Sequence, residues 1–308
     1  MTRETIAPVA QLKTISLKAL KGRCAEEVSK LLEAAQQHGV FYLDVADDIL
    51  LEDVVYDIGQ LSRSLFAMSE PEKMKFDVDK LGPYKLNGQS VVTSEASKVS
   101  VMVSRATRRR WVDLFGALRS PVIVEYQQRV AEFQSICLDL AKVLFETLSI
   151  ACRLPEESSF QSCHSTSPLN LVRLLRYPGA MGDQNFSIPQ IAHTDMGSLT
   201  FLFTDYPGLQ IQPTGSPEWL HVMPRPGKPI VNLGDAMKIL SNGKLESVLH
   251  RVVTVPGVRA EDRYSFAYLM RPEPSTLMAP LPGMGHASGE PVRTCEEWVS
   301  MKFRALRA

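Results

Sequence analysis

The stretch HTDMGSLTFLFTDYPGLQIQP, residues 193–213, contains two short β-prone runs that are separated by a proline and a glycine. Further runs of the same kind lie at 171–178, 229–234, 250–256 and 263–270. Branched and aromatic residues in short segments divided by turn residues are typical of antiparallel β-sandwiches. The sequence therefore predicts a mostly β fold with a double-stranded β-helix, or jelly-roll, core whose inward side chains surround one pocket.

Helical periodicity occupies the N-terminal part of the chain and its end. Four segments have apolar residues at helical spacing: 25–37, 50–67, 121–152 and 295–306. Gly39 ends the first of them before a strand, and the third is long enough to back a whole sheet. We therefore expect an N-terminal region of helices and strands at 1–120, integral to the fold, and a jelly-roll core at 121–308.

Two histidines and one aspartate are the candidate metal ligands and catalytic residues. His193 and Asp195 are two positions apart, so in an extended strand both side chains point to one face, and His250 lies in a later strand. Two imidazoles and one carboxylate form the facial triad that holds non-haem Fe(II) and leaves three coordination positions open. Histidine pairs on strands are often only structural. The metal-site interpretation therefore depends on further residues that fit the same chemistry.

Arg263 and Ser265 form a second pair at the same spacing, in the alternating segment RYSFAYLM at 263–270. A guanidinium matches a carboxylate in two parallel hydrogen bonds, and a serine hydroxyl donates a third. An inward arginine needs an anion, because an unpaired buried charge is costly. The alternative is an arginine at a strand end in an ordinary surface salt bridge.

Together, HTD at 193–195, His250 and RYS at 263–265 resemble the 2-oxoglutarate and Fe(II)-dependent oxygenase family, in the isopenicillin N synthase-like branch. The run at 193–213, followed by Trp219 and by residues 222–253, is similar to the family's signature almost from end to end. AAQQHGVFYLDV at 34–45, MSEPEKMKF at 68–76 and LLRYPGA at 174–180 extend the resemblance over most of the chain.

The resemblance implies a role for each matching residue. His193, Asp195 and His250 would bind iron, and the cofactors would be Fe(II), 2-oxoglutarate as co-substrate and O2. Arg263, Ser265 and Tyr177 would bind the distal carboxylate of 2-oxoglutarate. Leu175 departs from the family pattern, because many plant members have an asparagine at that position.

The reaction that the resemblance implies is oxidation of a C–H bond by hydroxylation, desaturation or ring rearrangement, with release of succinate and CO2. A small or medium-sized natural product of fungal-type specialised metabolism is the expected substrate. Two alternatives remain at this point. One is an Fe(II) oxidase of the isopenicillin N synthase type, which does not use 2-oxoglutarate, and the other is a non-catalytic jelly-roll binding protein.

Composition limits the partners and the compartment. Lysine plus arginine equals aspartate plus glutamate at 34 each, so the formal net charge is zero and we do not expect nucleic acid as a partner. We interpret the run RRR at 108–110 as a solvated helix end. Five cysteines without a CxxC pair favour reduced thiols in the cytoplasm. The sequence contains no run of 18 apolar residues, so we expect no membrane-spanning helix. The oligomeric state is left open.

The substrate pocket is the least legible part of the sequence. Candidate pocket residues lie in the segment 77–110 or next to the triad; they are Tyr84, Asn87, Val101, Val103 and Phe201. Each of them is more often a packing residue than a recognition residue.

Overall fold

The computed structural model shows two β-sheets with helices packed on one face of the larger sheet. It describes residues 8–46, 49–69, 71–72, 88–91, 99–104, 121–165, 167, 169–177, 190–253, 262–285 and 291–305. The predicted positions Tyr84, Asn87 and 108–110 lie outside these residues, as do the side chains of Val101 and Val103.

Eight strands form the larger sheet. In spatial order they are β1 (Thr14–Ser16), β2 (Val40–Asp44), β10 (Ile230–Leu233), β7 (Leu199–Thr204), β12 (Arg263–Met270), β5 (Leu171–Tyr177), β4 (Val99–Ser104) and β3 (Gly88–Val91). The smaller sheet has the order β6 (Gln190–His193), β11 (Leu249–Val252), β8 (Leu209–Gln212) and β9 (Leu220–Val222). All pairs in both sheets are antiparallel except β1 with β2. The predicted mostly β, jelly-roll fold class is confirmed.

Six α-helices have bounds within the described residues: α1 (Leu17–Lys21), α2 (Ala25–Gln37), α3 (Ile49–Ala67), α4 (Pro121–Ala151), α5 (Asp235–Leu240) and α6 (Cys295–Ala305). Two short 3-10 helices follow α4, at Glu156–Ser158 and Gln161–Cys163. The four helices predicted from periodicity correspond to α2, α3, α4 and α6, with ends within one residue. Gly39 follows α2 with a φ of 65°, and a β-carbon there would lie 2.0 Å from the carbonyl oxygen of Glu246. Only glycine fits this turn, which directs the chain from α2 into β2.

Strand alternation divides the larger sheet into two faces. Phe203 and Phe266 point to the helical side, where both meet the ring of Phe133 from α4 at centroid distances of 5.4 and 5.7 Å. Burial of aromatic rings like these stabilises the fold by roughly 1.5–3 kcal/mol each. The opposite face, which carries Thr200 and Ser265, lines a cavity between the two sheets.

Phe201 lies in this helix-facing core with no exposed surface, so the prediction that it contributes to the pocket is wrong. Its neighbours Thr200 and Leu202 line the cavity instead, because successive side chains of a strand point to opposite faces.

The N-terminal strands β1 to β4 belong to the same sheet as β5, β7, β10 and β12. The division of the chain at residue 120 stays a prediction. All five cysteines are unpaired thiols. Within the described ranges, no helix combines the length and the apolar character needed to cross a membrane.

Candidate active site

His193 and His250 face each other across neighbouring strands of the smaller sheet, where they are direct partners in the pairing of β6 with β11. Their ring centroids are 4.3 Å apart. Nδ1 of His193 lies 2.9 Å from the carbonyl oxygen of Ile191, and Nδ1 of His250 lies 3.2 Å from that of Val248. Since a carbonyl oxygen only accepts, each Nδ1 carries the proton and each Nε2 carries a lone pair. The lone pair of His193 Nε2 accepts a hydrogen bond from Gln190 Nε2 at 2.8 Å, which a bound metal would replace.

Asp195 lies two residues beyond the end of β6, so the prediction that an extended strand presents HTD is only half right. The carboxylate is held from the larger sheet: Thr200 Oγ1 donates to Oδ2 at 2.6 Å, and Asn232 Nδ2 donates to the same oxygen at 2.9 Å. Oδ1 is thereby directed at the imidazoles, 3.8 Å from Nε2 of His193 and 3.9 Å from Nε2 of His250.

The electrostatics of this site favour an ionised carboxylate. Burial on its own would raise the pKa of Asp195, but the two imidazoles and the hydrogen bonds from Thr200 and Asn232 together lower it to about 2. The main chain is fixed as well, because the amide of Asp235 donates to the carbonyl oxygen of Asp195 at 2.7 Å. Asp195 is therefore a positioned anion at neutral pH.

The loop that carries Asp195 packs against the start of α5 at a distance that only glycine permits. A β-carbon on Gly234 would lie 2.2 Å from the carbonyl oxygen of Gly197 and 2.6 Å from that of Asp195. The GD pair in NLGDAM, at 234–235, thus serves the site through its backbone rather than through a side chain.

The donor set fits Fe(II). One ligand atom from each of His193, Asp195 and His250 lies within 4.8 Å of the other two, and no other group of three such residues does so in the described part of the chain. Two neutral imidazoles and one carboxylate on one side of a cavity are the donors of a non-haem Fe(II) facial triad. The structure brings together all three residues that the sequence singled out.

Arg263 and Ser265 lie on β12 with their side chains in the same cavity. Nε of Arg263 donates to the carbonyl oxygen of Pro207 at 3.2 Å, and Nη1 donates to Ser265 Oγ at 3.3 Å. Nη2 is buried and has no hydrogen-bond partner among the described residues. Burial lowers the pKa of this guanidinium, and Tyr177 opposes that effect. A buried cation with an unsatisfied donor is suited to an incoming anion.

Tyr177 on β5 is the cross-strand partner of Arg263, whose guanidinium lies over its ring, 5.1 Å from the centroid. Its hydroxyl, however, donates to Oε1 of Gln190 at 2.7 Å. Leu175, the departure from the family pattern, is the partner of Ser265 and lines the cavity. An apolar side chain thus stands where an asparagine would offer polar atoms.

The sequence analysis missed four polar cavity residues, namely Arg173, Gln190, Thr200 and Asn232. Nε2 of Gln190 donates to Nε2 of His193 at 2.8 Å, at the nitrogen that faces the other two candidate ligands. Asn232 had a readable signal, since it is a lone amide within the buried apolar run PIVNLG at 229–234. Gln190 had none, because its role depends on the position of β6 in the smaller sheet.

Comparison with known proteins agrees with this geometry. The model of the 2OG-Fe(II) oxygenase superfamily matches residues 169–272. The 2-oxoglutarate-dependent dioxygenase gloE of Glarea lozoyensis is 31% identical over 315 residues, which cover 98% of this chain and 90% of that protein. Another 2-oxoglutarate-dependent dioxygenase, from Aspergillus fumigatus, is 31% identical over 90% of this chain and 79% of its own length.

Among solved structures, a full-length Neurospora crassa protein in complex with alpha-KG superimposes with a TM-score of 0.79 at 20% identity, covering 98% of this chain and 99% of that one. The chain belongs to the 2-oxoglutarate and Fe(II)-dependent oxygenase family. It is an oxidoreductase of the dioxygenase type, and its cofactors are Fe(II), 2-oxoglutarate and O2. This confirms the family resemblance and favours 2-oxoglutarate use over both alternatives. Assignment to the isopenicillin N synthase-like branch stays a prediction.

Proposed function

We propose that the chain oxidises a C–H bond of a small or medium-sized natural product, with His193, Asp195 and His250 as the iron ligands. Arg263 and Ser265 bind the distal carboxylate of 2-oxoglutarate, and Tyr177 contributes its hydroxyl there in exchange for its hydrogen bond to Gln190 Oε1. Iron and 2-oxoglutarate together supply the oxidising power when they are bound, with succinate and CO2 as co-products.

The observation that carries this proposal is the common cavity. His193, Asp195 and His250 line the same cavity as Arg263, whose buried Nη2 has no hydrogen-bond partner among the described residues. A dicarboxylate with one end on the metal and the other on the guanidinium satisfies both requirements at once. A binding protein without catalysis would need neither a metal triad nor a buried anion site.

The protein's own residues orient the metal ligand Asp195 and keep water away from the reacting groups. The hydrogen bonds from Thr200 and Asn232 prevent the Asp195 carboxylate from rotating, so that Oδ1 stays on the metal side. Apolar side chains cover much of the cavity wall and exclude water from the reacting groups; they include Leu202, Leu209, Ile211, Ile230, Val248 and Val252. A water-poor site strengthens the electrostatic contacts that position the co-substrate.

The test is turnover of 2-oxoglutarate under defined omissions. We expect succinate to form only when Fe(II), O2 and 2-oxoglutarate are all present, and to form faster when a substrate is added. Product formation from a substrate without 2-oxoglutarate would favour the oxidase alternative. Absence of succinate formation under every complete condition would contradict the proposal.

The unpaired thiols agree with a reducing compartment, and we propose the cytoplasm.

A further inference from the structure

Gln190, the first residue of β6, enters the cavity because the pairing of β6 with β11 is irregular. His193 lies opposite His250 and Gln190 lies opposite Val252, so three residue steps along β6 match two along β11. A regular strand would place positions 190 and 193 on opposite faces, and the extra residue of this β-bulge returns Gln190 to the face of His193. Both side chains line the cavity, whereas Ile191 between them is 75% exposed.

The amide of Gln190 contacts one residue of each half of the site. Nδ1 of His193 donates to the carbonyl oxygen of Ile191, so Nε2 accepts, and the amino end of Gln190 donates to it at 2.8 Å. The oxygen end is thereby directed at β5 of the larger sheet, where it accepts from the hydroxyl of Tyr177 at 2.7 Å. One side chain therefore connects the candidate iron ligand to the candidate co-substrate residue across the cavity.

Both contacts use atoms that the proposed function requires. A metal on His193 takes the lone pair of Nε2, and a carboxylate at Arg263 takes the hydroxyl of Tyr177. The oxygen and the nitrogen of a primary amide belong to one planar group, so a rotation that removes one of them from its partner also removes the other. The first ligand to bind consequently breaks both contacts, and the second ligand has neither to break.

From this geometry we infer that Gln190 is a positioning residue that couples the binding of Fe(II) to the binding of 2-oxoglutarate. The inference rests on the proposed function and adds an energetic link between its two ligands. Coupling of this kind is reciprocal, so each ligand raises the affinity for the other by the same factor. Chelation of the metal by 2-oxoglutarate also couples them, and the share of Gln190 is the part that disappears with its amide.

The test is calorimetric titration with Mn(II), a stand-in for Fe(II) that does not turn over, in the absence and in the presence of saturating 2-oxoglutarate. Gln190→Leu removes the amide. Without 2-oxoglutarate we expect this variant to bind Mn(II) about tenfold more tightly than the unmodified protein, because no hydrogen bonds have to be broken. With 2-oxoglutarate the two affinities should be equal, because the co-substrate has already displaced Gln190.

A second background tests the link through Tyr177. In Tyr177→Phe the amide keeps its contact with His193 but loses its contact with the co-substrate residue. 2-oxoglutarate then has no hydroxyl to take from Gln190 and leaves the amide in place. We therefore expect the tenfold effect of Gln190→Leu on Mn(II) affinity to persist at saturating 2-oxoglutarate in this background.

Gln212→Leu is the matched control. Gln212 is on β8 of the same sheet, outside the described cavity wall, and its Nε2 donates to the carbonyl oxygen of Pro217 at 2.9 Å. This variant should bind Mn(II) as the unmodified protein does under both conditions. Circular dichroism checks the folding of each variant, and Gln190→Ala carries the test should Gln190→Leu fail to fold.

Three results would overturn the inference: Gln190→Leu binds Mn(II) no more tightly than the unmodified protein, its gain in affinity is equally large with 2-oxoglutarate, or Gln212→Leu shows the same gain. Binding of Mn(II) and 2-oxoglutarate to the unmodified protein is measured first. Failure at that step contradicts the proposed function, whereas failure only in the comparison of variants contradicts the role of Gln190.

Discussion

Thr200 Oγ1 and Asp195 Oδ2 are joined by a 2.6 Å hydrogen bond that connects the larger sheet to the loop carrying the candidate metal ligand. Asn232 donates to the same oxygen from the neighbouring strand β10. Oδ2 of the carboxylate therefore accepts hydrogen bonds from the protein, and Oδ1 is directed at the two imidazoles. Orientation of a ligand by such partners commonly changes metal affinity by about 10–100-fold.

Thr200→Val removes this hydrogen bond and keeps the shape of the side chain. We expect metal affinity to fall by about tenfold, because the carboxylate can then rotate away from the histidines. Titration of the protein with Mn(II) measures the change. Thr204→Val is the matched control: it is on the same strand, but its hydroxyl donates to the carbonyl oxygen of Tyr264. Equal affinities in the two variants would contradict the role of Thr200.

Asp195→Ala removes the one carboxylate of the triad. We expect succinate formation to be abolished and Fe(II) binding to be strongly weakened, since two neutral imidazoles alone hold the ion. The assay is 2-oxoglutarate turnover at saturating Fe(II). Asp205→Ala changes an exposed aspartate in the loop after β7 and should be fully active. Full activity of Asp195→Ala with iron present would refute its assignment as a ligand.

Arg263→Lys keeps the positive charge but loses the planar fork that contacts Ser265 and presents the unsatisfied Nη2. A loss of roughly 3 kcal/mol corresponds to about a hundredfold weaker binding of 2-oxoglutarate. We expect the Michaelis constant for 2-oxoglutarate to rise while Mn(II) affinity is unchanged. An unaltered requirement for 2-oxoglutarate would exclude Arg263 as its anchor.

His164 makes the stability of the protein depend on pH. Its ring stacks on Phe145; Nδ1 donates to the carbonyl oxygen of Phe160 at 2.6 Å, and Nε2 accepts from Ser198 Oγ at 2.6 Å. Burial lowers the pKa of His164 from 6.5 to about 4, and the hydrogen bond to Phe160 opposes that effect. The native ring therefore stays neutral at pH values where the unfolded chain binds a proton.

The free energy of unfolding should consequently fall as the pH decreases from about 6.5 to about 4, by about 3 kcal/mol from this group. Well above pH 6.5 the imidazole is neutral in both states, and its contribution is then constant. Urea denaturation at about pH 7 and about pH 4 measures it, as the difference between the unmodified protein and His164→Gln. The variant should be less stable at neutral pH and should lose less stability on acidification. An identical pH slope in both proteins would disprove the assignment.

Local pattern was enough to predict many of the elements. RYSFAYLM coincides with β12, and the segment 25–37 coincides with α2, because alternation and helical spacing are properties of neighbouring residues. The HTD motif was harder. The strand ends at His193, and the position of Asp195 depends on Thr200, on Asn232 and on the close approach of Gly234. These are contacts between elements, which the spacing of residues along the chain does not reveal.

The pocket-lining side chains show the same limit. Phe201 is adjacent to Thr200 and on the wrong face, so an error of one residue in strand parity turns a core residue into a supposed pocket residue. Arg173 and Gln190 enter the cavity because β5 and β6 lie in opposite sheets. The order of strands within the two sheets decides this, and the sequence predicts a sandwich without giving that order.

The most direct test of the account is anaerobic absorption spectroscopy of the protein with Fe(II) and 2-oxoglutarate. A weak visible charge-transfer band arises only when the keto acid chelates iron, so it reports both ligands at one site. We predict that the band appears in the unmodified protein and is absent in His250→Ala. No band at saturating Fe(II) and 2-oxoglutarate, or an unchanged band in His250→Ala, would contradict the assignment of this cavity as the active site.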